Sequence, residues 1–341
     1  MSIPDLHQAD DPYARYEEAV LEFYKNLPRA PTDLSVLESR IGRSALISRL
    51  QKQLAYREYW KGKGHGMLKF GPMIDRLKLI PLVLKTTGLW NRGVRNALDV
   101  QVIEHELVLH DLPEALDGYR MLHASDLHLE FHPDFAERLA AVIAPLKVDI
   151  ALVTGDFRYM TYGPHEAAIE AMQTIMPAFS SPVFGILGNH DPIELLQPLE
   201  AMGMTMLMNE GLRVGEGERS YYLAGVDDPH YYRADDLAKA SADAGEGFRL
   251  LLSHSTEIYA EAEALGYHLM LSGHTHGGQI CLPAGMLQLN NARSPRDMVH
   301  GSWAHDRLQG YTSSGAGCVA VPIRFNCPAE VVVHTLRRAR S

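Results

Sequence analysis

Cysteine is scarce in this chain of 341 residues, and the three that occur have no regular spacing. Cys281, Cys318 and Cys327 form neither a disulfide framework nor a Cys-x-x-Cys motif, so the sequence predicts a reducing compartment. The first residues carry no basic region followed by an apolar run, and hence no secretory signal. No apolar run approaches the ~18 residues of a transmembrane helix. We therefore expect a cytoplasmic location, with a peripheral position on the inner membrane face as the alternative.

Acidic residues are nearly missing from residues 40–95, which hold thirteen Lys or Arg against only Glu58 and Asp75. The net charge of this segment is +11, whereas the rest of the chain carries −21. Three interpretations remain open: a solvated helical face, a face attracted to anionic lipid with Trp60 and Trp90 at the headgroup level, or a nucleic-acid surface. Two distant tryptophans make no stacking platform, so we expect no nucleic-acid partner.

The chain changes character near residue 98. Residues 1–98 are predicted to form a helical, basic N-terminal extension, with helices over residues 13–27, 44–60 and 73–89. From residue 99 to residue 341, short apolar runs alternate with helical patterns, which is typical of an α/β domain. The predicted helices there cover residues 135–146, 166–177 and 194–202. The predicted strands cover residues 100–110, 120–124, 149–154, 183–187, 220–226, 249–253, 269–272, 317–321 and 330–335.

Five clusters of metal-type ligands directly follow predicted strands. They read Asp126-Leu127-His128, Gly155-Asp156, Gly188-Asn189-His190-Asp191, Ser253-His254 and Gly273-His274-Thr275-His276. Side chains just beyond the carboxyl ends of strands are where α/β sheets place their sites. The clusters are therefore predicted to meet at one site.

The residue types in these clusters indicate which metal they suit. Asp126 and His128 lie two residues apart and can point at one ion, and Asp156 has two oxygens that can bridge two cations. Asn189 adds a neutral oxygen, and His254, His274 and His276 add imidazoles. This mixture suits Mn²⁺, Fe or Zn²⁺ and is too rich in nitrogen for Ca²⁺ or Mg²⁺.

The series D-x-H, G-D, G-N-H-D, H and G-H-T-H, in this order, resembles the calcineurin-like metallophosphoesterase superfamily. The segments Ser-Gly-His-Thr-His-Gly-Gly-Gln-Ile from residue 272 and Pro-Ile-Arg-Phe-Asn from residue 322 are similar to its bacterial phosphodiesterase-like branch. Relatives in that branch cleave the pyrophosphate of UDP-2,3-diacylglucosamine. The resemblance implies a four-layer α-β-β-α sandwich of two mixed sheets over residues 99–341.

The resemblance also implies a binuclear metal centre. One ion would be held by Asp126, His128, Asp156 and His276, and the other by Asp156, Asn189, His254 and His274, with Asp156 as the bridge. Two such ions clamp a phosphate and activate a hydroxide for in-line attack on a phosphodiester or pyrophosphate. His190 would protonate the leaving oxygen or stabilise its charge, and Asp191 would hydrogen-bond His190 and orient it.

This chain departs from its relatives at two places. Many of them carry Asp or Asn a few residues after G-D, where this chain has Phe157-Arg158-Tyr159, and Arg158 is a candidate for contact with a substrate phosphate. One subgroup of lipid A enzymes has Arg where this chain has His190, so the sequence does not match that subgroup.

The motifs leave three functions open. A phosphohydrolase acting on a small-molecule or lipid-linked phosphate fits best. A lipid-linked pyrophosphatase of the UDP-2,3-diacylglucosamine hydrolase type, contacting an anionic membrane through residues 40–95, is the sharper alternative. A non-catalytic metal-binding scaffold is disfavoured because no ligand is missing.

Three further segments carry weaker expectations. Residues 283–310 lack periodicity and are predicted to form a flap that faces the substrate. Asp227-Asp228 is predicted to be a turn before Pro229, with a substrate loop as the alternative. Glu130 is predicted to be a solvated turn residue and not a ligand.

Overall fold

The structure analysed is a computed structural model, which describes residues 34–60, 81–282 and 292–339. The predicted helix over residues 13–27 and residues 73–80 of the one predicted over residues 73–89 lie outside this part. Helices α1 (Leu34–Ile41) and α2 (Arg43–Trp60) confirm the helix predicted over residues 44–60 and add one before it. The chain divides into two compact units, Met1–Gly66 and Met67–Ser341. The domain boundary at residue 98 stays a prediction.

The second unit contains the short helices that separate the strands. They are α3 (Trp90–Leu98), α4 (Phe135–Ile143), α5 (Glu166–Ile175), α6 (Leu196–Ala201), α7 (Leu237–Ala240) and α8 (Tyr259–Ala264). Residues 81–86 are also helical. In α4 the buried residues Phe135, Leu139 and Ile143 recur every four positions, which gives the helix one apolar face for the sheet.

The described residues form two mixed sheets of six strands each. The first has the order β1-β12-β2-β3-β4-β5, and the second has the order β10-β11-β9-β8-β7-β6. The strands are β1 (Gln101–Leu109), β2 (Arg120–Ala124), β3 (Ile150–Val153), β4 (Val183–Gly185), β5 (Thr205–Met206), β6 (Glu210–Val214), β7 (Tyr221–Gly225), β8 (Arg249–Leu252), β9 (Leu269–Ser272), β10 (Gly301–His305), β11 (Leu308–Thr312) and β12 (Glu330–Arg338).

The core lies between the two sheets. Strands β2, β3 and β4 run parallel in the first sheet, and β7, β8 and β9 run parallel in the second. All four residues of β3 are buried, as expected for a central parallel strand with both faces covered. Apolar side chains of both sheets form one cluster that includes Leu152, Leu223, Leu250 and Leu271. The two mixed sheets with flanking helices confirm the predicted sandwich.

Two secondary-structure predictions are wrong. Residues 317–321 form bends and not a strand. Within the predicted flap, residues 301–305 and 308–312 form an antiparallel hairpin, β10–β11, at one edge of the second sheet. The hairpin is stabilised by burial of Trp303 and Tyr311, a tertiary contact that a five-residue strand does not reveal by periodicity. The remaining described part, residues 292–300, is called the flap segment below.

Candidate metal centre

Strands of both sheets bring the five clusters together. The loops after β2, β3 and β4 in the first sheet carry Asp126, Asp156 and Asn189, and the loops after β8 and β9 in the second carry His254 and His274. Because these strands are parallel within each sheet, their carboxyl ends share one edge of the sandwich. The fold therefore brings the clusters to one edge, as the sequence predicted.

The backbone of this edge is strained. Asp126, His128, Asp156, His274 and His276 all have φ between 42° and 72°, the left-handed region that non-glycine residues rarely adopt. Each such residue costs about 1–3 kcal/mol, and such strain persists only where the surrounding structure over-determines it. The strain turns successive side chains of each loop toward the same point.

Two glycines allow the loops to approach closely. A Cβ on Gly188 would overlap a carboxylate oxygen of Asp156, and a Cβ on Gly273 would overlap Ser125 Oγ and a carboxylate oxygen of Asp126. The glycines of the G-N-H-D and G-H-T-H clusters therefore leave room for the carboxylates of the neighbouring loops.

Four side chains surround the first of two adjoining positions. The Nε2 atoms of His128 and His276 are 3.1 Å apart, and His276 Nε2 is 3.3 Å from Asp126 Oδ1. His128 Nε2 is also 3.6 Å from Asp156 Oδ2. All four side chains are buried, so nitrogen and carboxylate ligand atoms converge away from bulk water.

The second position shares Asp156 with the first. His254 Nε2 is 3.3 Å from Asp156 Oδ2 and 3.0 Å from Asn189 Oδ1. The same Asn189 oxygen is 2.8 Å from His274 Nδ1. The structure thus brings together all seven residues predicted as ligands, with Asp156 in contact with both groups.

The hydrogen bonds of two histidines show that this cluster fits cations. His128 Nδ1 is 2.8 Å from the Arg158 carbonyl and His254 Nδ1 is 2.7 Å from the Thr154 carbonyl. A carbonyl only accepts, so both Nδ1 atoms carry the proton and both Nε2 atoms present lone pairs when the rings are neutral. These lone pairs face carboxylate and amide oxygens, which also accept. A positive charge is required to offset the repulsion between these nitrogen and oxygen acceptors.

The pKa values in the cluster agree with this requirement. Burial lowers the pKa of His274 and of His276 well below the usual range, which keeps both imidazoles neutral with a lone pair available. Burial also lowers the pKa of His254, but Asp156 outweighs it and holds that pKa well above the usual range. Burial raises the pKa of Asp126 to about 6. The cluster thus attracts positive charge while its other imidazoles stay unprotonated.

His190 lies beside the first position. Its ring is 4.8 Å from that of His128, and one of its nitrogens lies within 4.8 Å of ligand atoms of His128 and Asp156. Its Nδ1 is 2.9 Å from the Tyr159 carbonyl, so Nδ1 carries the proton and Nε2 is left for another partner. Burial lowers the pKa of His190 to about 4.

Asp191 contacts the backbone of two loops of the centre, and its hydrogen bond to His190 stays a prediction. Its carboxylate accepts hydrogen bonds from the backbone N–H groups of Gly188, Asp156, Phe157 and Arg158 at 2.7–3.1 Å. His190 is oriented by the Tyr159 carbonyl. Asp191 therefore joins the G-D loop to the G-N-H-D loop.

Arg158 forms hydrogen bonds with the loop that carries His190. It is buried, with Nε donating to the His190 carbonyl at 3.0 Å and Nη1 donating to the Gly163 carbonyl at 3.0 Å. Its guanidinium supports the His190 loop, and its contact with a substrate phosphate stays a prediction.

Glu130 is no solvated turn residue, because it is partly buried and accepts a hydrogen bond from Tyr159 N–H at 3.0 Å. It therefore fixes the residue whose carbonyl orients His190. Asp227-Asp228 directly precede a turn over residues 229–232, in which Asp228 accepts from the N–H groups of residues 230, 231 and 232.

Arg324 is a residue of the site that sequence reasoning did not single out. It is fully buried, donates to the carbonyls of Ser314, Gly315 and Gly317, and has Nη2 3.4 Å from His276 Nδ1. Its only sequence signal is the Pro-Ile-Arg-Phe-Asn segment. The three cysteines are buried, and Cys327 Sγ donates to the His276 carbonyl at 3.2 Å.

Comparison with known proteins supports this reading of the centre. The sequence profile of the family described as calcineurin-like phosphoesterase matches residues 119–278. The chain is 30% identical over 252 residues to an uncharacterized metallophosphoesterase of Bacillus subtilis (strain 168), YkoQ, covering 71% of this chain and 92% of that protein. The chain belongs to the calcineurin-like phosphoesterase family.

Two further relatives of this metallophosphoesterase match this chain over most of their own length. An uncharacterized metallophosphoesterase of Helicobacter pylori (strain ATCC 700392 / 26695) is 26% identical over 335 residues, covering 92% of this chain and 85% of that protein. Phosphodiesterase YaeI of Escherichia coli (strain K12) is 27% identical over 240 residues, covering 67% of this chain and 87% of that protein.

Membership makes this chain one of a family of metal-dependent phosphoesterases, and its buried His and Asp clusters have the binuclear arrangement typical of that family. Among the described residues, no helix is long and apolar enough to cross a membrane.

Proposed function

We propose that this chain is a two-metal-dependent phosphohydrolase that cleaves a phosphodiester or pyrophosphate. The observation that carries the proposal is that the buried Nε2 atoms of His128, His254 and His276 face the oxygens of Asp126, Asp156 and Asn189 at 3.0–3.6 Å. One ion would be held by Asp126, His128, Asp156 and His276. The other would be held by Asp156, Asn189, His254 and His274.

When bound, two cations neutralise the charge of a phosphate and lower the pKa of water for in-line attack. The remaining steps of the reaction are carried out by residues of this chain. Because the Tyr159 carbonyl takes the Nδ1 proton of His190, Nε2 is the atom that serves the substrate. A phosphate in the centre favours protonation of that nitrogen, so that it can donate to the leaving oxygen.

Replacement of His190 tests this role. Hydrolysis of bis(4-nitrophenyl) phosphate by the purified protein in Mn²⁺ should fall by about 10²- to 10⁴-fold in His190→Ala. Asp156→Asn should lose at least as much, together with bound metal. His132→Ala, which removes a histidine near α4, is the matched control and should retain activity. Equal rates in wild-type and His190→Ala proteins would contradict the assigned role.

The relative from Escherichia coli is named a phosphodiesterase, which supports the diester over the monoester for this chain. A parallel assay with 4-nitrophenyl phosphate and with a UDP-linked pyrophosphate separates the three bond types. Faster cleavage of the monoester than of both other substrates would contradict the proposed preference. A non-catalytic scaffold remains disfavoured, since all seven candidate ligands are present and adjacent.

A lipid-linked pyrophosphatase at the membrane surface is the second candidate, and one surface favours it. Leu82, Val83 and Leu89 are 59%, 47% and 41% exposed, and Lys85 Nζ lies 4.9 Å from the centre of the Trp90 ring. Exposed aliphatic side chains beside a lysine and a tryptophan suit the headgroup region of an anionic bilayer.

Vesicle co-sedimentation tests the membrane contact. Full-length protein should bind phosphatidylglycerol vesicles at low salt, and the triple variant L82E/V83E/L89E should bind them less. Point variants are preferable to removal of residues 1–98, because Asn96 Nδ2 donates to the Arg324 carbonyl at 2.9 Å. Equal sedimentation of both proteins with anionic and neutral vesicles would argue against a lipid substrate.

A further inference from the structure

His230 is a histidine outside the predicted ligand set that packs directly against the centre. Its ring lies 4.2 Å from the ring of His274, centroid to centroid, at an interplanar angle of 43°. Its side chain is 23% exposed. The backbone N–H of His230 donates at 3.1 Å to Asp228, a buried carboxylate that also accepts from residues 231 and 232. The main chain of His230 is therefore fixed.

Glu257 fixes the ring of His230. Its Oε1 atom lies 2.7 Å from His230 Nδ1 and accepts a second hydrogen bond from Arg293 N–H at 2.9 Å. The carboxylate is 12% exposed, which limits competition from water. Since Arg293 belongs to the flap segment, Glu257 joins the flap segment to the histidine that packs on His274.

His274 lacks the support that a metal-binding imidazole normally has. Its Nδ1 faces Asn189 Oδ1 at 2.8 Å, while its Nε2 is buried without a hydrogen-bond partner among the described residues. Metal-binding histidines usually donate the second ring N–H to an acceptor that fixes the ring. Besides the contact with Asn189, the orientation of the His274 ring therefore depends on its packing neighbours. The two rings beside it are those of His230 and, at 5.2 Å, His254.

We propose that His230 is a positioning residue for His274, and that Glu257 holds His230 in the orientation that this requires. The proposal rests on the proposed metal assignment, in which His274 serves the second ion only. Loss of His230 or of its bond to Glu257 therefore weakens binding of the second ion. Binding of the first ion, which involves Asp126, His128, Asp156 and His276, is unaffected.

Stepwise metal binding tests the proposal without any hydrolysis assay. Chelator-treated wild-type protein is titrated with Mn²⁺ by calorimetry, and the bound metal is counted by mass spectrometry after gel filtration. In His230→Ala and Glu257→Ala, the affinity of the second ion should fall by about 10- to 100-fold, the usual effect of losing a residue that orients a ligand. The affinity of the first ion should match that of the wild type.

Two further variants separate orientation from general damage. Glu257→Gln keeps an acceptor oxygen for His230 Nδ1–H and should restore most of the second-ion affinity that Glu257→Ala loses. His305→Ala removes a histidine whose ring packs on Tyr259 at the end of β10 away from the centre, and should bind both ions normally. If His230→Ala fails to fold, the comparison of Glu257→Ala with Glu257→Gln decides the matter.

Second-ion affinities in His230→Ala and Glu257→Ala equal to that of His305→Ala would overturn the proposal. So would equal loss of both ions. Failure of the proposed function gives a different result. In that case the protein binds two ions stepwise but hydrolyses no phosphate ester, and the role of His230 in metal binding is unaffected.

Discussion

At the scale of single residues, the centre depends on groups outside the predicted ligand set. Asp191 accepts four backbone hydrogen bonds, from residues 156, 157, 158 and 188, and so fixes the loop that carries Asp156. His190 and its loop are likewise supported by hydrogen bonds that involve Arg158, Tyr159 and Glu130. The sequence motif marks Asp191 as part of the site, but only the contacts show that it acts through the backbone.

We predict that Asp191→Ala reduces stability as well as activity. The substitution leaves buried N–H groups without an acceptor, at about 1–3 kcal/mol for each group left unsatisfied. The free energy of unfolding in urea should fall by at least about 2 kcal/mol, and Asp191→Asn, which keeps one acceptor oxygen, should fall less. If Asp191→Ala unfolds like the wild type, these hydrogen bonds do not hold the loops.

Gly273→Ala is predicted to damage the centre without unfolding the protein. The added methyl group would overlap Ser125 Oγ and the Asp126 carboxylate, so Asp126 must move. Metal content measured by mass spectrometry should therefore fall together with hydrolysis. Gly203→Ala is the matched control, because a Cβ there meets no atom within 4 Å. Gly203 has φ +97°, so this control should lose some stability but keep its metal.

At the scale of secondary-structure elements, the partly buried His105 and the buried His334 and His123 form a row across the first sheet toward the centre. His105 Nδ1 is 3.1 Å from His334 Nδ1, His334 Nε2 is 3.5 Å from His123 Nδ1, and His123 Nε2 is 2.9 Å from Thr154 Oγ1. They lie on β1, β12 and β2, which are adjacent strands. Burial lowers the pKa of all three, and that of His123 to about 4.

This histidine row predicts acid-sensitive stability. A histidine whose pKa is lowered on folding binds fewer protons in the folded state than in the unfolded state. Its contribution is therefore fully present above the ordinary pKa of 6.5 and is lost as the pH falls from 6.5 toward 4. For His123 the slope is about 1.4 kcal/mol per pH unit in that window.

Urea unfolding of metal-free protein at pH 7.5, 6.0 and 5.0 measures this slope. His123→Gln should reduce the slope of the unfolding free energy against pH, because the group that titrates is removed. Carboxylates elsewhere contribute equally to the slopes of both proteins. His110→Gln, at an exposed position after β1, is the control and should keep the wild-type slope. Identical slopes in all three proteins would show that His123 is protonated equally in the folded and unfolded states.

At the scale of the whole molecule, the second unit links a helix to the metal centre. Gly93 in α3 lies against Ile323 and Phe325. These two residues flank Arg324, which donates to the Ser314 carbonyl and contacts His276. Phe325 also bridges to Ile280, four residues after His276. A change in α3 can therefore reach the centre through one continuous set of contacts.

We predict that Gly93→Val lowers both the melting temperature and the metal affinity. A Cβ at this position lies 2.8 Å from Phe325 and 2.9 Å from Ile323, so the segment 323–325 must shift. Asn91→Val places the same side chain on an exposed position of α3 and should leave both quantities unchanged. Normal metal affinity in Gly93→Val would show that the centre is independent of α3.

Much of the second unit could be predicted from the sequence because its signals are local. The strands β2 and β9 were predicted with the observed ends, and nearly all other predicted strands with ends within two or three residues. Hairpin β10–β11 was missed, since its short strands are stabilised by packing of Trp303 and Tyr311 and not by their own pattern. The predicted strand over residues 317–321 failed because Arg324 binds the Gly317 carbonyl that a strand would need.

The sequence by itself determined the reaction class, because Asp126, Asp156, Asn189 and the histidines of the clusters are chemically specific and follow strands in a fixed order. Only the tertiary structure decided which residues support them. Asp191, Glu257 and Arg324 act on partners 27 to 48 residues away in the chain. Those pairings depend on how two sheets and their loops pack, and no local pattern encodes a contact of that kind.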